Sequence, residues 1–198
     1  MADPEVTLES LVKEVSLLRD RQDISDCVHR YARGVDRHDE ELLTSVYHAD
    51  AIDEHGLAIN AGPSFAKWLN GLHDKYFRVH QHHMTSQNCE LDGDVAHCET
   101  YVLYGLETLD RKHFWFGGGR YVDRLEKRDA VWKIAHRRTI IDWMIDADPS
   151  IYHSDAFQAW KYPAGKLSRD DDSYHRPVQL NHEQAEMFER QGPTAAPL

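Results

Sequence analysis

Basic residues are in short supply: 23 Lys and Arg stand against 34 Asp and Glu, for a formal net charge of −11. That balance leaves no broad electropositive surface for a phosphate backbone, so no nucleic-acid partner is expected. No apolar run reaches the roughly 18 residues that a bilayer-spanning helix needs, so no membrane partner is expected. Cysteine is scarce as well. Cys27, Cys89 and Cys98 are odd in number and show no CxxC spacing, which argues against a disulfide framework and a structural zinc site; they read as buried thiols. Met1-Ala2-Asp3-Pro4-Glu5 carries no basic segment ahead of an apolar one, so no secretory leader is expected and the default compartment is the cytoplasm. Gly117-Gly118-Gly119 is not followed by Lys-Ser or Lys-Thr, which excludes a phosphate-binding loop.

What is present falls into two halves of different period. Leu8, Leu11, Val12, Val15, Leu18, Ile24, Cys27, Val28, Tyr31 and Val35 recur at three- and four-residue steps, predicting amphipathic helix with a bend or break at the charged stretch 19–23. Further helices are expected from Asp39 to Tyr47 and from Ser64 to Lys75, the latter with Phe65, Trp68, Leu69 and Leu72 inward, and a short strand over Ala51–His55. After residue 76 the pattern becomes extended. Strands are expected at 78–91, 94–108, 113–127 and 131–143, joined by short polar turns, with the glycine triplet marking a bend. Helices first and an antiparallel meander afterwards predict an α+β fold in which helices cover one face of a curved sheet.

The chemistry is concentrated in one hairpin. Asp92-Gly93 between extended segments signals a tight turn. With those two residues as the loop, His82 faces Leu103, Met84 faces Tyr101, Ser86 faces Glu99 and Asn88 faces His97, while His83, Thr85 and Gln87 point to the other side. A slip of one residue would exchange His82 for His83. A shell of His82, His55, Asp53 and Asp36 has the donor types for a metal, but no HExxH or comparable local ligand pair supports it, and neither metal nor cofactor is expected.

Five segments together carry a resemblance. Ile24-Ser25-Asp26 with the run Tyr31 to Asp39, Tyr47-His48-Ala49-Asp50-Ala51, Glu90 to Ala96, Gly119 to Asp129, and Trp132-Lys133-Ile134 resemble SnoaL-like proteins of the nuclear transport factor 2-like superfamily over about residues 8–145. The resemblance implies a cone: a strongly curved antiparallel sheet wrapped around N-terminal helices, with an apolar pocket at its open end. It also implies a domain over 1–146 and leaves 147–198 as a C-terminal extension. The aromatics Tyr152, Phe157, Trp160 and Tyr162 predict that this extension packs on the domain or on a neighbouring subunit. Within it, Asn181 and Gln184 are expected to cap a short helix, with fraying after Gly192. Family members are commonly trimers or dimers through the outer sheet face, so a homo-trimer or homo-dimer is implied here.

In the family's lyases an Asp at the end of the first helical region orients a His on the long strand, and the matching residues are Asp36 and His82. A carboxylate on one ring nitrogen fixes the tautomer and strengthens the other nitrogen as a base. By the same resemblance Tyr31 and His55 are expected to protonate or hold a departing oxygen, and Arg137 matches an Arg of the family's dehydrochlorinase, with Arg138 or His136 in its place if the preceding turn shifts. Asp53, Tyr101, Tyr121, Leu103 and Trp68 are expected to line the pocket. Three functional readings follow. One is a lyase that needs no cofactor and removes water or formaldehyde from a small hydroxylated aromatic or polycyclic molecule; the others are a ketosteroid-isomerase-like proton shuttle or a binding module without chemistry.

Overall fold

A computed structural model of the chain describes residues 6–180 and 182–192. The first half is helical apart from one hairpin: α1 (Leu8–Asp36), α2 (Glu40–Ser45), β1 (Tyr47–His55), β2 (Ala58–Ala61) and α3 (Gly62–Tyr76). Four long strands follow, β3 (Phe77–Asp92), β4 (Val95–Thr108), β5 (Phe114–Arg128) and β6 (Val131–Ala147). The six strands form one sheet in the order β2-β1-β6-β5-β4-β3, antiparallel throughout except where β1 runs parallel to β6. This is the expected α+β architecture, a curved open sheet closed on one face by the N-terminal helices.

Helix α1 begins at a capping box, in which Thr7 and Ser10 exchange hydrogen bonds, and runs unbroken through the charged stretch 19–23 where a bend was expected. Arg, Gln and Asp tolerate a helix interior, and Asp20 is tied to the sheet by Lys127 (2.7 Å) and the indole of Trp132 (2.9 Å). Its C-terminal half buries Ile24, Cys27, Val28, Tyr31 and Val35 against the sheet, while Leu8, Val12 and Val15 in the N-terminal half remain exposed. Each fully buried aliphatic side chain contributes about 1.5–3 kcal/mol relative to exposure, so the second half anchors the helix.

The β3–β4 hairpin departs from the expected register, and the departure decides which side chains enter the cone. The turn residues are Gly93 and Asp94, with Asp92 opposite Val95. Near the turn Asn88 therefore faces Glu99, and a bulge between Met84 and Gln87 shifts the ladder again, so that His82 faces Tyr104 and His83 faces Leu103. The bulge also switches the inward set from 80, 82 and 84 to 87, 89 and 91. Ser86 and Asn88 thus do not share the face of His82, as an unbroken strand would require. The same register sets Cys89 opposite Cys98, Cα atoms 4.2 Å apart, and joins them in a disulfide. The reading of these two as separate buried thiols is corrected on that ground; Cys27 is the buried free thiol.

The glycine triplet in β5 does mark a break in the ladder, between Gly118 and Gly119. A Cβ on Gly119 would stand 2.1 Å from the carbonyl oxygen of Ile140, so no other residue fits that close approach.

Beyond β6, the chain forms α4 (Asp155–Gln158), a 3-10 turn over Asp172–Tyr174 and α5 (His182–Gln191). It packs back on the body. Arg169 holds the Asp39 carboxylate at 2.8 and 3.1 Å, the Tyr174 hydroxyl donates to the same carboxylate at 2.8 Å, and Arg33 lies 4.3 Å over the Tyr174 ring. His153 pairs with Glu107 at the far end of β4. The expected Asn181 cap and the tail beyond Gly192 lie outside the described residues.

Candidate active site

Asp36 ends α1 and reaches across to β3. Its Oδ1 lies 2.7 Å from Nδ1 of His82, and its Oδ2 accepts the His82 backbone N–H at 2.8 Å. One carboxylate thus fixes both the ring and the strand that carries it. His80, two positions earlier on the same face, brings Nδ1 to 3.4 Å from the same Oδ1. Burial works against the Asp36 anion, but the hydrogen bonds from His80 and His82 outweigh it and hold the carboxyl down at about 2. Asp36 is therefore ionised at neutral pH and can only accept, so the Nδ1 facing it carries a proton and, in the neutral imidazole, the lone pair of His82 is on Nε2.

Two more histidines crowd the same region. His38, just past the end of α1 in the left-handed backbone region (φ 48°), places Nε2 at 2.9 Å from Nε2 of His80. The His73 ring, from α3, lies 4.3 Å from that of His80. Burial lowers His38 and His80, and burial reinforced by the neighbouring histidines pushes His73 down to about 2. Sequence reasoning missed this group. His80 was legible in principle, since it shares parity with His82, and His73 follows Leu69 at helical spacing. His38 gives no signal, because its position depends on how the chain leaves α1.

A second polar cluster lies in the core. Arg137 is completely buried, donates to both oxygens of Asp123 at 2.8 and 2.6 Å, and has its guanidinium 4.0 Å from the Tyr31 ring and 4.1 Å from the Tyr121 ring. Burial disfavours the cation, but Asp123 raises the Arg137 pKa well above its ordinary value. Tyr47 donates to Asp53 at 2.6 Å. Burial raises the phenols of Tyr31, Tyr47 and Tyr121, so all three stay protonated.

The expected site residues therefore divide into groups. Asp36 and His82 meet, and His83 turns outward. His55 shares its face with Asp53, Nδ1 to Oδ1 3.6 Å, and its ring meets that of Trp68 edge-on at 5.9 Å. Tyr31, Tyr121 and Arg137 come together, with Arg137 inward while Arg138 pairs with Glu54 outside. Two placements are corrected: Tyr101 is 44% exposed, and Leu103 shares its outer face, because the shifted register turns the even-numbered positions from Ala96 to Tyr104 inward. The residue facing His82 is Tyr104, ring centroids 6.2 Å apart. The shell of His82, His55, Asp53 and Asp36 does not assemble as a metal site among the described residues; Asp36 groups instead with His80 and His82.

Two cavities touch this region. A recess of about 290 Å³ is lined by His29, Arg33, Asp36, Arg37, His82 and, from the C-terminal extension, Ser173. A second, of about 470 Å³, lies between the strand ends and the extension, with Arg37, His80 and Glu107 among apolar residues such as Val79, Phe114, Ile151 and Leu167. Arg37 borders both and is itself fixed by the extension, Nε 3.3 Å from Asp171.

The fold is one known from other chains. Residues 16–138 match the SnoaL-like domain, and the protein belongs to that family. Among solved structures, a hexachlorocyclohexane dehydrochlorinase from Novosphingobium barchaimii is similar at 22% identity and a TM-score of 0.63, covering 68% of this chain and 94% of that one. A scytalone dehydratase-like protein from Novosphingobium aromaticivorans is similar at 20% identity and a TM-score of 0.62, over 68% and 91% of the two chains. A protein of unknown function from Mycobacterium tuberculosis shares 27% identity with a TM-score of 0.56, over 63% and 77%. No curated protein matches the chain. No helix is long and apolar enough to cross a membrane among the described residues.

Proposed function

We propose that this protein is a small-molecule lyase in which Nε2 of His82, held by Asp36, is the general base. The observation that carries the reading is the double grip of Asp36 on the His82 ring and backbone, beside a recess open to small molecules. A binding module has no use for an oriented imidazole base. An isomerase would use the same base, but enzymes of that kind more often employ a carboxylate.

The substrate class is a hydroxylated aromatic or polycyclic molecule, its oxygens met by the polar lining of the recess at His82 and its rings by apolar residues of the adjoining cavity such as Val79, Phe114 and Ile151. Two balanced reactions fit the base. In a dehydration, His82 takes a proton from the carbon next to a hydroxyl-bearing carbon, the C–H electrons form the double bond, and the hydroxyl leaves as water. In a formaldehyde-releasing reaction, His82 takes the proton of a hydroxymethyl group and the C–C bond breaks. Its electrons form the alkene while the neighbouring hydroxyl departs as water. Neither reaction needs a redox or group-transfer cofactor. Tyr31 and Arg137 are committed to the core and His55 lies against Asp53 and Trp68, so we assign the donor to the leaving oxygen to Tyr104, whose protonated phenol faces His82. A self-associating homo-trimer or homo-dimer is supported by the apolar outer face, where Tyr101, Val122 and Trp143 are exposed.

Incubation with aryl 1,3-diols and with simple benzylic alcohols, following formaldehyde and alkene in parallel, tests the reading. Alkene without formaldehyde identifies a dehydratase, and both products identify the C–C lyase. Tight binding with neither product, or a moved double bond alone, refutes the lyase.

A further inference from the structure

Asp36 and His82 leave three histidines unused. His38, His73 and His80 come from three separate elements, the end of α1, α3 and β3, and each offers a ring nitrogen within 4.8 Å of the other two. All three are nearly sealed from solvent: the His38 and His80 side chains are 10% and 0% exposed, and His73 is 6% exposed. In His38 and His80 the opposite edge of the ring faces a carboxylate, Nδ1 to Asp74 at 3.3 Å and Nδ1 to Asp36 at 3.4 Å. A carboxylate behind each ring favours the proton on Nδ1, which leaves lone pairs on both Nε2 atoms. Those two nitrogens nevertheless stand 2.9 Å apart. Two lone pairs at that separation repel, so the pair is joined either by one proton, as an N–H···N hydrogen bond, or by a metal cation seated against both nitrogens. Nδ1 of His73 is buried with no hydrogen-bond partner, a further unmet demand in the same cluster.

We propose that His38, His73 and His80 form a binding site for a divalent transition metal of the zinc class, with Asp74 and Asp36 as the carboxylates that orient two of the ligands. Neutral imidazoles suit such ions, and metal–nitrogen distances of about 2.0–2.1 Å put neighbouring ligand atoms roughly 2.9–3.4 Å apart, depending on the angle between them. A carboxylate, a histidine and a metal in line is the usual arrangement behind histidine ligands. The site ties α3 and the end of α1 to β3 one residue pair away from His82, and it is separate from the nitrogen that the lyase reading uses. Because the ligands lie far apart in the chain, no local sequence motif announces them.

Metal-free protein, prepared by dialysis against a chelator and checked for folding by circular dichroism, is titrated with Zn²⁺ and with Co²⁺, whose visible spectrum reports ligand geometry. The proposal predicts saturation at one equivalent per chain, a Co²⁺ spectrum of a nitrogen-ligated site, and a rise in thermal midpoint. His38→Gln and His73→Gln each weaken binding by at least about the 10–100-fold that loss of a carboxylate behind a ligand costs, and Asp74→Asn weakens it within about that range. His82→Gln leaves binding intact, so a failed lyase assay and a failed metal site are told apart. Weak, non-stoichiometric binding by the folded wild-type chain, or tight binding unchanged in His38→Gln and His73→Gln, would overturn the proposal. Should those variants not fold, the stoichiometry and Co²⁺ spectrum of the wild type decide it alone.

Discussion

Tyr104 faces His82 across the β3–β4 ladder, and its ring covers Gly117 of the next strand. A Cβ on Gly117 would lie 2.4 Å from the Tyr104 hydroxyl and ring carbon, so the glycine is what gives this phenol its place. Burial raises the Tyr104 pKa, which keeps the phenol a hydrogen-bond donor at neutral pH.

Tyr104→Phe is therefore expected to lower turnover by roughly a hundredfold, the low end of what proton transfer contributes, with the thermal midpoint unchanged. Gly117→Ala, which keeps the hydroxyl but displaces it, should lose activity to a similar extent. Steady-state kinetics and calorimetry on the two variants check this; unaltered turnover in Tyr104→Phe would remove the phenol from the mechanism.

Arg137 and Asp123 are a fully buried pair, and removing one partner strands the other charge in the core. Arg137→Met or Asp123→Asn should each cost about 3–5 kcal/mol in urea unfolding. A loss below about 1 kcal/mol in both would mean that the interior is wetter than the packing of Tyr31 and Tyr121 around the guanidinium implies.

The extension carries an acid-sensitive latch. Asp171 accepts the backbone N–H groups of Lys166 (2.9 Å) and Ser173 (3.0 Å) and faces Arg37. Burial opposes its charge, but these partners hold its carboxyl well below the ordinary range. The sign follows directly: with the folded pKa below the unfolded value of about 3.9, the contribution is complete above that value and is lost as pH falls below it toward the folded pKa. The amide resonances of Lys166 and Ser173 should then shift between about pH 4 and pH 2, and Asp171→Asn should abolish that step. No change before global unfolding would contradict the latch.

Much of this molecule was legible in its sequence. The switch from helical to extended period at the β3 boundary and the order of the matching segments gave the fold, and the resemblance gave Asp36 and His82. The errors in the hairpin share one cause. Asp92-Gly93 marks the right corner, but a local signal does not say which residues occupy the loop, and the bulge after Met84 leaves no compositional trace. From that shift follow the outward turn of Tyr101 and Leu103, the inward turn of Tyr104, and the pairing of Cys89 with Cys98. Arg137 was expected among the catalytic groups by its match to the dehydrochlorinase Arg; it turns inward, but Asp123 takes its Nε and Nη2 donors, which sequence could not show. The histidine cluster depends on tertiary contacts between His38, His73 and His80 that no period encodes.

The central claim is that His82 is a base made competent by Asp36, and paired substitutions measure it most directly. With a diol or alcohol that the wild type converts, single-turnover rates of His82→Gln and Asp36→Asn are compared with the wild type. The account predicts that each falls by roughly two to four powers of ten while the fold is retained, and that the double variant is little worse than either single one, since the two residues act as a unit. Wild-type rates in both variants would contradict it.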